Sequence, residues 1–404
     1  MVEAVRVGTD LKENTEYLQS QLITYIGNKR ALLPFIEQAL SIVQEKLNKD
    51  KLTCLDIFSG SGIVSRFLKA YSSFIAVNDL EKYACIISNC YLSSLSLQDK
   101  TELKAVYDKL KKEIDNRMNE IQKSRENGTY VHPGFISELY APSDLNNITI
   151  DDRCFYTPYN ANYLDVARQL IDQIVPEKFK NHFIAPLLSE ASIHANTAGI
   201  FKGFYKNSKT KTGQFGGNGK NALSRILGNI ELPFPVFSNF DSKFAVFNQN
   251  ANNLIFEDQL YDSIPDMAGA EKEFDLAYFD PPYNQHPYGS NYFMLNLIAD
   301  YQRPDSEKIS RVSGIPKDWH RSAYNKKKKV AEVFFELVKN VKAKYLMISF
   351  NSEGFISREE MIELLSKCGR VTVLESQYNT FRGSRNLQER DIHVKEYLFL
   401  VDKR

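Results

Sequence analysis

The sequence predicts a doubly wound α/β fold, a mostly parallel sheet flanked by helices, with a second unit inserted midway. Three observations predict it. Short runs of β-branched and aromatic residues bounded by turn signals recur along the chain. Helical periodicity lies between most of them. Between about residues 101 and 240 the alternation stops and a different composition takes over.

Seven runs read as strands: 53–58, 74–78, 243–248, 274–279, 345–350, 371–378 and 396–401. The first five are nearly all apolar, as parallel strands covered on both faces should be. Ile63, Val64, Phe67 and Leu68 repeat at helical spacing after the first strand. Val330, Val333, Phe334, Leu337 and Val341 do so before the fifth. The last two strands have no helical pattern between them, which predicts a hairpin and an antiparallel final strand. In the insert, Leu103, Val106, Leu110, Ile114, Met118 and Ile121 share one face of an amphipathic helix, and a shorter helix is expected at 166–175. The expected division is therefore 1–100 and 241–404 for one domain and 101–240 for the insert.

The 404-residue chain has a net charge of +1 and 43% hydrophobic residues, the balance of an ordinary soluble domain rather than a basic coat protein. The N-terminus lacks the apolar core of a signal peptide, and no run is long enough to span a membrane. Five cysteines stand far apart, in a pattern that fits neither a zinc site nor a redox pair. Reduced thiols, a cytoplasmic location and no metal are expected.

Two turns carry the chemistry. The first strand ends in Asp56-Ile57-Phe58-Ser59-Gly60-Ser61-Gly62 and a helix follows at once. Glycines there let backbone approach a ligand closely. The third glycine of the dinucleotide fingerprint is replaced by Ser65, and the P-loop lysine is missing. An acid at Asp56 would repel a pyrophosphate and suits a cationic ligand. Asp79, at the end of the second strand, is positioned for the hydroxyls of a ribose. An adenosine with a cationic, non-phosphate tail, such as S-adenosyl-L-methionine, satisfies both acids. The plain alternative is a tight strand-to-helix turn with a helix-capping acid.

The fourth strand ends in Asp280-Pro281-Pro282-Tyr283. Two prolines cannot continue a ladder, so the chain turns outward where ligands bind in open parallel sheets. An exocyclic amine on a base is a poor nucleophile, because its lone pair is delocalised into the ring. The Asp280 carboxylate and the Pro281 carbonyl would accept its two hydrogens and draw it toward tetrahedral geometry. Tyr283 would stack on a base turned out of the duplex.

On these residues the chain resembles the Dam-like adenine-N6 DNA methyltransferases, up to about Ser94 and again after about Lys243. Tyr25-Ile26-Gly27-Asn28-Lys29 is similar to the family's first motif, which implies that Tyr25 and Lys29 contact S-adenosylmethionine. Asp56, Phe58 and Gly60 match its glycine motif, and Asp79 its ribose acid. Phe247-Asn248-Gln249-Asn250-Ala251 resembles the adenine-ring motif, with Asn250 where an Asp is usual. Asp280 to Tyr283 match the catalytic box. The 288–293 and 349–354 stretches look like segments of restriction-modification methyltransferases. The resemblance implies a seven-stranded Rossmann-like methyltransferase sheet, an insert for target recognition, and a site-specific enzyme acting as a monomer on double-stranded DNA, with a possible cognate restriction endonuclease.

Residues 202–230 contain Lys202, Lys206, Lys209, Lys211, Lys220 and Arg225 and no acid, interleaved with aromatic residues and glycines. Such a segment could neutralise phosphates, or be only a solvated flexible loop. Arg382 and Arg385, between the last two strands, are the second candidate phosphate contacts. Rival functions stay open. Asp280 favours adenine over cytosine-N4 methylation, the large insert with its basic segment favours duplex DNA over RNA, Asp56 and the missing third glycine oppose a nicotinamide-dependent oxidoreductase, and Asp280 with Tyr283 opposes a silent DNA-binding module, without excluding any of them.

Overall fold

The computed structural model describes residues 13–217, 222–265, 271–282, 287–319, 321–352, 354–379 and 393–404. Seven strands form one sheet: β1 Leu52–Asp56, β2 Ser72–Asn78, β3 Lys243–Phe247, β4 Phe274–Phe279, β5 Ala343–Asn351, β6 Arg370–Asn379 and β7 His393–Asp402. Their order is β3-β2-β1-β4-β5-β7-β6. β7 runs antiparallel to both β5 and β6, and the other pairings are parallel. The missing crossover helix makes β6 and β7 an antiparallel hairpin, and the final strand of that hairpin lies between its predecessor and β5.

One expectation is corrected. β3 was expected to be covered on both faces, but it is the edge strand and only partly buried. Its apolar run packs on β2 from one side only.

From β1 the chain builds outward through β2 and β3, then returns to place β4 on β1's other side. The switch of direction therefore falls between β1 and β4, where a crevice opens at the carboxyl ends. Asp56 on β1 is level with Tyr278 on β4, two residues before Asp280. This register, set by alternation of buried side chains, brings the two predicted turns side by side.

Two apolar layers sandwich the sheet. Helices Ala251–Leu254, Val330–Asn340 and Arg358–Ser366 pack on one face around Leu55, Ala277, Ile348 and Phe399. Helices Leu33–Leu47, Ile63–Lys69 and Lys82–Leu92 cover the other around Cys54, Tyr278, Met347 and Leu398. The second core runs on without a break into residues of the insert, including Leu103, Leu110, Ile114 and Phe155. The long helix there spans Leu97–Glu126, capped by the Ser96 hydroxyl on the Asp99 amide at 3.0 Å. The helix expected at 166–175 runs from Pro158 to Ile174. Among the described residues no helix is long and apolar enough to cross a membrane.

Candidate active site

The glycine turn is built by backbone chemistry. Gly60 and Gly62 adopt left-handed φ of +51° and +73°, and Gly62 opens helix Ile63–Lys69. The Gly60 amide donates to Asp79 Oδ2 at 2.7 Å, and the Glu81 amide donates to Asp79 Oδ1 at 2.9 Å. Asp79 thus ties the second turn to the first. A Cβ on Gly60 would lie 2.6 Å from the Tyr25 hydroxyl. Tyr25 packs on both Tyr288 and Tyr292, with ring centroids 5.2 and 5.0 Å away, and those two rings lie 5.8 Å from each other, so the three form a cluster. The Ile26 amide donates to the Tyr292 hydroxyl at 2.8 Å and fixes that cluster to the chain.

Asp56, Gly60, Asp79, Asp280, Tyr25, Lys29, Phe58 and Asn250 all line one cleft of about 930 Å³, measured out to its open mouth. The two sequence turns therefore share a cavity. Lys29 is 3% exposed, and its ammonium lies 2.9 Å from Asp280 Oδ2. Phe58 meets Tyr324 edge-on at 5.2 Å. Asn250 reaches the cleft, and its side-chain oxygen also caps the short helix Ala251–Leu254 through the Asn252 amide at 3.0 Å. Tyr283, Lys220, Arg382 and Arg385 lie outside the described residues.

Sequence reasoning missed Tyr288, Tyr292, Tyr324 and Glu81. The spacing of Tyr288 and Tyr292 at i and i+4 was a usable signal for the first two. Glu81 accepts from the Asn296 amide at 2.5 Å, a partner that no local pattern indicates.

The cleft is acidic. Burial raises Asp56 to about 7 although the Ser65 hydroxyl donates to it at 2.5 Å. Burial likewise raises Asp79 to about 6 and Glu81 to about 7. Asp275, at the opposite end of β4, shows the contrast. Burial alone would raise it, but Lys49 at 2.8 Å, the Thr53 amide and Lys344 at 3.0 Å outweigh burial and hold it below the usual range. Of the cleft acids, Asp280 is paired with Lys29, whereas burial dominates at Asp56, Asp79 and Glu81, a setting that favours a cationic ligand beside them.

A pH dependence follows. Acids whose folded values exceed their unfolded ones bind protons more tightly when folded, so stability falls as pH rises through the interval between the two. The melting temperature of the ligand-free protein is expected to fall from pH 5 to about 7.5 and then level off. Asp56→Asn should flatten that decline. A scanning-calorimetry profile that slopes equally in the variant would contradict this origin.

Within the described part of the basic segment, residues 206–213 form a hairpin. Lys206 and Gly213 form a bridge, and the Asn207 side chain accepts from the Lys209 and Thr210 amides. Gly213 is needed for packing, since a Cβ there would collide with the Cys154 sulfur. Lys202, Lys209 and Lys211 are exposed. Lys206 instead donates to the Val312 carbonyl at 2.6 Å and sits over the Phe204 ring. Arg225 faces inward, donating to the carbonyls of Ile193, Ala195 and Thr197. It caps the end of helix Lys180–Ile193 and is removed from the basic surface. A second hairpin, joined by the Ile309–Pro316 bridge and missed in the sequence, lies against the first through the Lys206–Val312 bond, and Val312 at its tip is 74% exposed. The Phe201 amide donates to the Asn291 carbonyl at 2.7 Å, so the basic hairpin is rooted beside the cleft wall formed by Tyr288 and Gly289.

Comparison with known proteins agrees with this geometry. The chain is 29% identical over 383 residues to the type II methyltransferase M.CviAII of Paramecium bursaria Chlorella virus 1, covering 94% of this chain and 98% of that protein. It is 27% identical over 388 residues to the type II methyltransferase M.NlaIII of Neisseria lactamica, covering 94% and 99%. The modification methylase StsI of Streptococcus sanguinis matches at 25% over 94% of this chain but 52% of its own length. Residues 25–364, which run from the stacked tyrosine past the fifth strand, match the family model as well. The chain belongs to the D12 class of N6 adenine-specific DNA methyltransferases.

Proposed function

We propose that this enzyme uses S-adenosyl-L-methionine to methylate the exocyclic N6 of an adenine everted from double-stranded DNA, at the cleft between β1 and β4. The observation that carries the proposal is Asp280, 20% exposed in that cleft and held at 2.9 Å by Lys29, beside the acidic glycine turn. S-adenosylmethionine supplies an electrophilic methyl group and carries a positive charge that suits the buried acids Asp56 and Asp79. Several features fit that ligand. Asp56 Oδ1 is buried without a hydrogen-bond partner, Asp79 offers acceptors at the rim, and Gly60 leaves room only because it has no Cβ. Tyr25 and Lys29 close the cleft from the N-terminal segment, and Phe58 and Asn250 line it near the second and third strands.

Asp280 and the Pro281 carbonyl accept the two amine hydrogens and orient the nitrogen lone pair. The amine releases a proton once its new bond has formed, and Asp280 is the nearest acceptor. Tyr283 stacks on the everted purine. Residues 1–100 and 241–404 act as the catalytic domain and 101–240 as the target-recognition domain. A monomer suffices for a reaction on one strand, and the enzyme is read as one. The relatives' names, type II methyltransferase and modification methylase, support a restriction-modification setting; a cytoplasmic location and a cognate nuclease acting on the same site belong to the same reading.

Incubation with methyl-labelled S-adenosylmethionine and duplex DNA tests the proposal. Label should appear in N6-methyladenine. Label confined to cytosine would overturn the base assignment.

Lys202, Lys209 and Lys211 contact phosphates in this reading, with Lys206 more of a strut; Lys220, Arg382 and Arg385 are assigned to the same surface from sequence alone. Replacing Lys209 and Lys211 by alanine should weaken binding about equally for all sequences. It should also reduce the slope of log affinity against log salt by roughly 2, about 1 per phosphate contact. Anisotropy titrations at several salt concentrations check this, and an unchanged slope would remove both lysines from the interface.

A further inference from the structure

One buried acid beside the cleft has no role in the scheme above. Along each strand alternate side chains face the same helical layer. Cys54 on β1, Tyr278 on β4, Met347 on β5 and Leu398 on β7 all pack into one core. By the same alternation Asp56, Asp280, Asn351 and Glu396 fall on that face, at the same end of the sheet. The register pairs Asn351 directly with Glu396 across β5 and β7. Glu396 is 5% exposed, Asn351 hydrogen-bonds to it, and its Oε2 has no hydrogen-bond partner. An acid so placed is costly to ionise and offers nothing to packing that a leucine would not.

The charges around it suggest its use. Lys29 from the N-terminal segment and Asp280 from β4 both act on Glu396. Its cross-strand neighbours Asn351 and Ser376 are neutral. Lys395 pairs with Glu375 at 2.7 Å, and Arg358 lies over the Tyr397 ring, both beside residues of the opposite face. Glu37, the first acid of helix Leu33–Leu47, accepts from the Tyr71 hydroxyl at 2.6 Å. Lys29 and ionised Asp280 sum to zero, so this pair alone gives the cleft no net charge near the amine.

Methyl transfer needs more than that. The carbon–sulfur bond breaks with its electron pair going to sulfur, and the nitrogen lone pair forms the carbon–nitrogen bond. The positive charge thereby moves from sulfur to the amine nitrogen until a proton leaves. A net negative charge fixed beside the amine stabilises that displacement. We propose that Glu396 is a positioning residue for this reaction: buried on the sheet face that also carries Asp280, its carboxylate adds a second negative charge on the side of the Lys29–Asp280 pair and favours the migration of positive charge to the amine. The inference rests on the adenine-methylation reading.

Burial raises Glu396 to about 7, with Lys29 opposing and Asp280 adding to the rise. Wild-type enzyme and Glu396→Gln should therefore differ by no more than about twofold at pH 6, where the acid is mostly protonated. The wild type should pull ahead by about tenfold above pH 8 at saturating DNA and S-adenosylmethionine. Asp56, Asp79 and Glu81 titrate in both enzymes and cancel in the ratio. A ratio constant across pH would make Glu396 merely structural and overturn the proposal. The second readout needs no turnover. In ligand-free protein with ¹³C-labelled glutamate, two carboxyl resonances should titrate near 7, those of Glu81 and Glu396; the one that vanishes in Glu396→Gln should shift to a higher midpoint in Lys29→Met. A midpoint near 4.5, or one indifferent to Lys29, would also overturn it. If the wild type put no methyl on adenine, the underlying reading would fail while the carboxyl titration still reported the Lys29–Glu396 interaction.

Discussion

Asp280→Ala is expected to lower single-turnover methylation by about 10²–10⁴-fold, with DNA affinity almost unchanged. The carboxylate accepts an amine hydrogen and stabilises the charge that builds on nitrogen, and alanine does neither. Lys29 also loses its partner at 2.9 Å and is 3% exposed, so the variant should melt at a lower temperature. Asp280→Asn separates the two effects. It keeps an acceptor of the same shape and should recover part of the rate, because hydrogen bonding survives while the charge is lost. Filter binding and rapid-quench assays on the three enzymes would check this order. Full turnover in Asp280→Ala would refute the role given to that acid.

Gly60→Ala should weaken S-adenosylmethionine binding by about a hundredfold. At φ +51° an L side chain carries a left-handed penalty of about 1–2 kcal/mol. The added carbon would also lie 2.6–2.8 Å from three atoms of the Tyr25 ring. Tyr25 cannot swing away freely, because Tyr288 and Tyr292 stack on it. Overpacking of this kind adds about 1–3 kcal/mol, and each 1.4 kcal/mol is tenfold in affinity. Gly62→Ala is the control. Its nearest neighbour is the Ile87 methyl at 3.4 Å, so only the backbone penalty applies and the loss should be nearer tenfold. Calorimetric titration reads both, and equal affinities for the two variants would dissociate Tyr25 from the ligand site.

The strands were legible because each is a short apolar run ended by a turn, and all seven form where periodicity indicated. Burial was less legible. The apolar run of β3 reads like its neighbours, yet position in the sheet, not composition, leaves it at the edge. The start of helix Pro158–Ile174 was carried by Thr157 and Pro158, a cap followed by a proline at the first turn, and was missed in favour of the apolar repeat downstream. At the site, motifs gave the residues at strand ends, since local backbone geometry dictates them. They did not give the partners. The Lys29–Asp280 ion pair, the Tyr25 stack and the inward turn of Arg225 depend on how distant segments pass each other. Charge counting placed Arg225 on a basic surface; three backbone carbonyls at a helix end took it instead.

A crystal structure of the enzyme with S-adenosylhomocysteine and an adenine-containing duplex tests the central claim most directly. One adenine should stand outside the helix with its N6 within hydrogen-bond reach of Asp280 and the Pro281 carbonyl, and with the cofactor sulfur in line behind it. An adenine still stacked in the duplex, or a cofactor lying away from Asp56 and Gly60, would contradict the account.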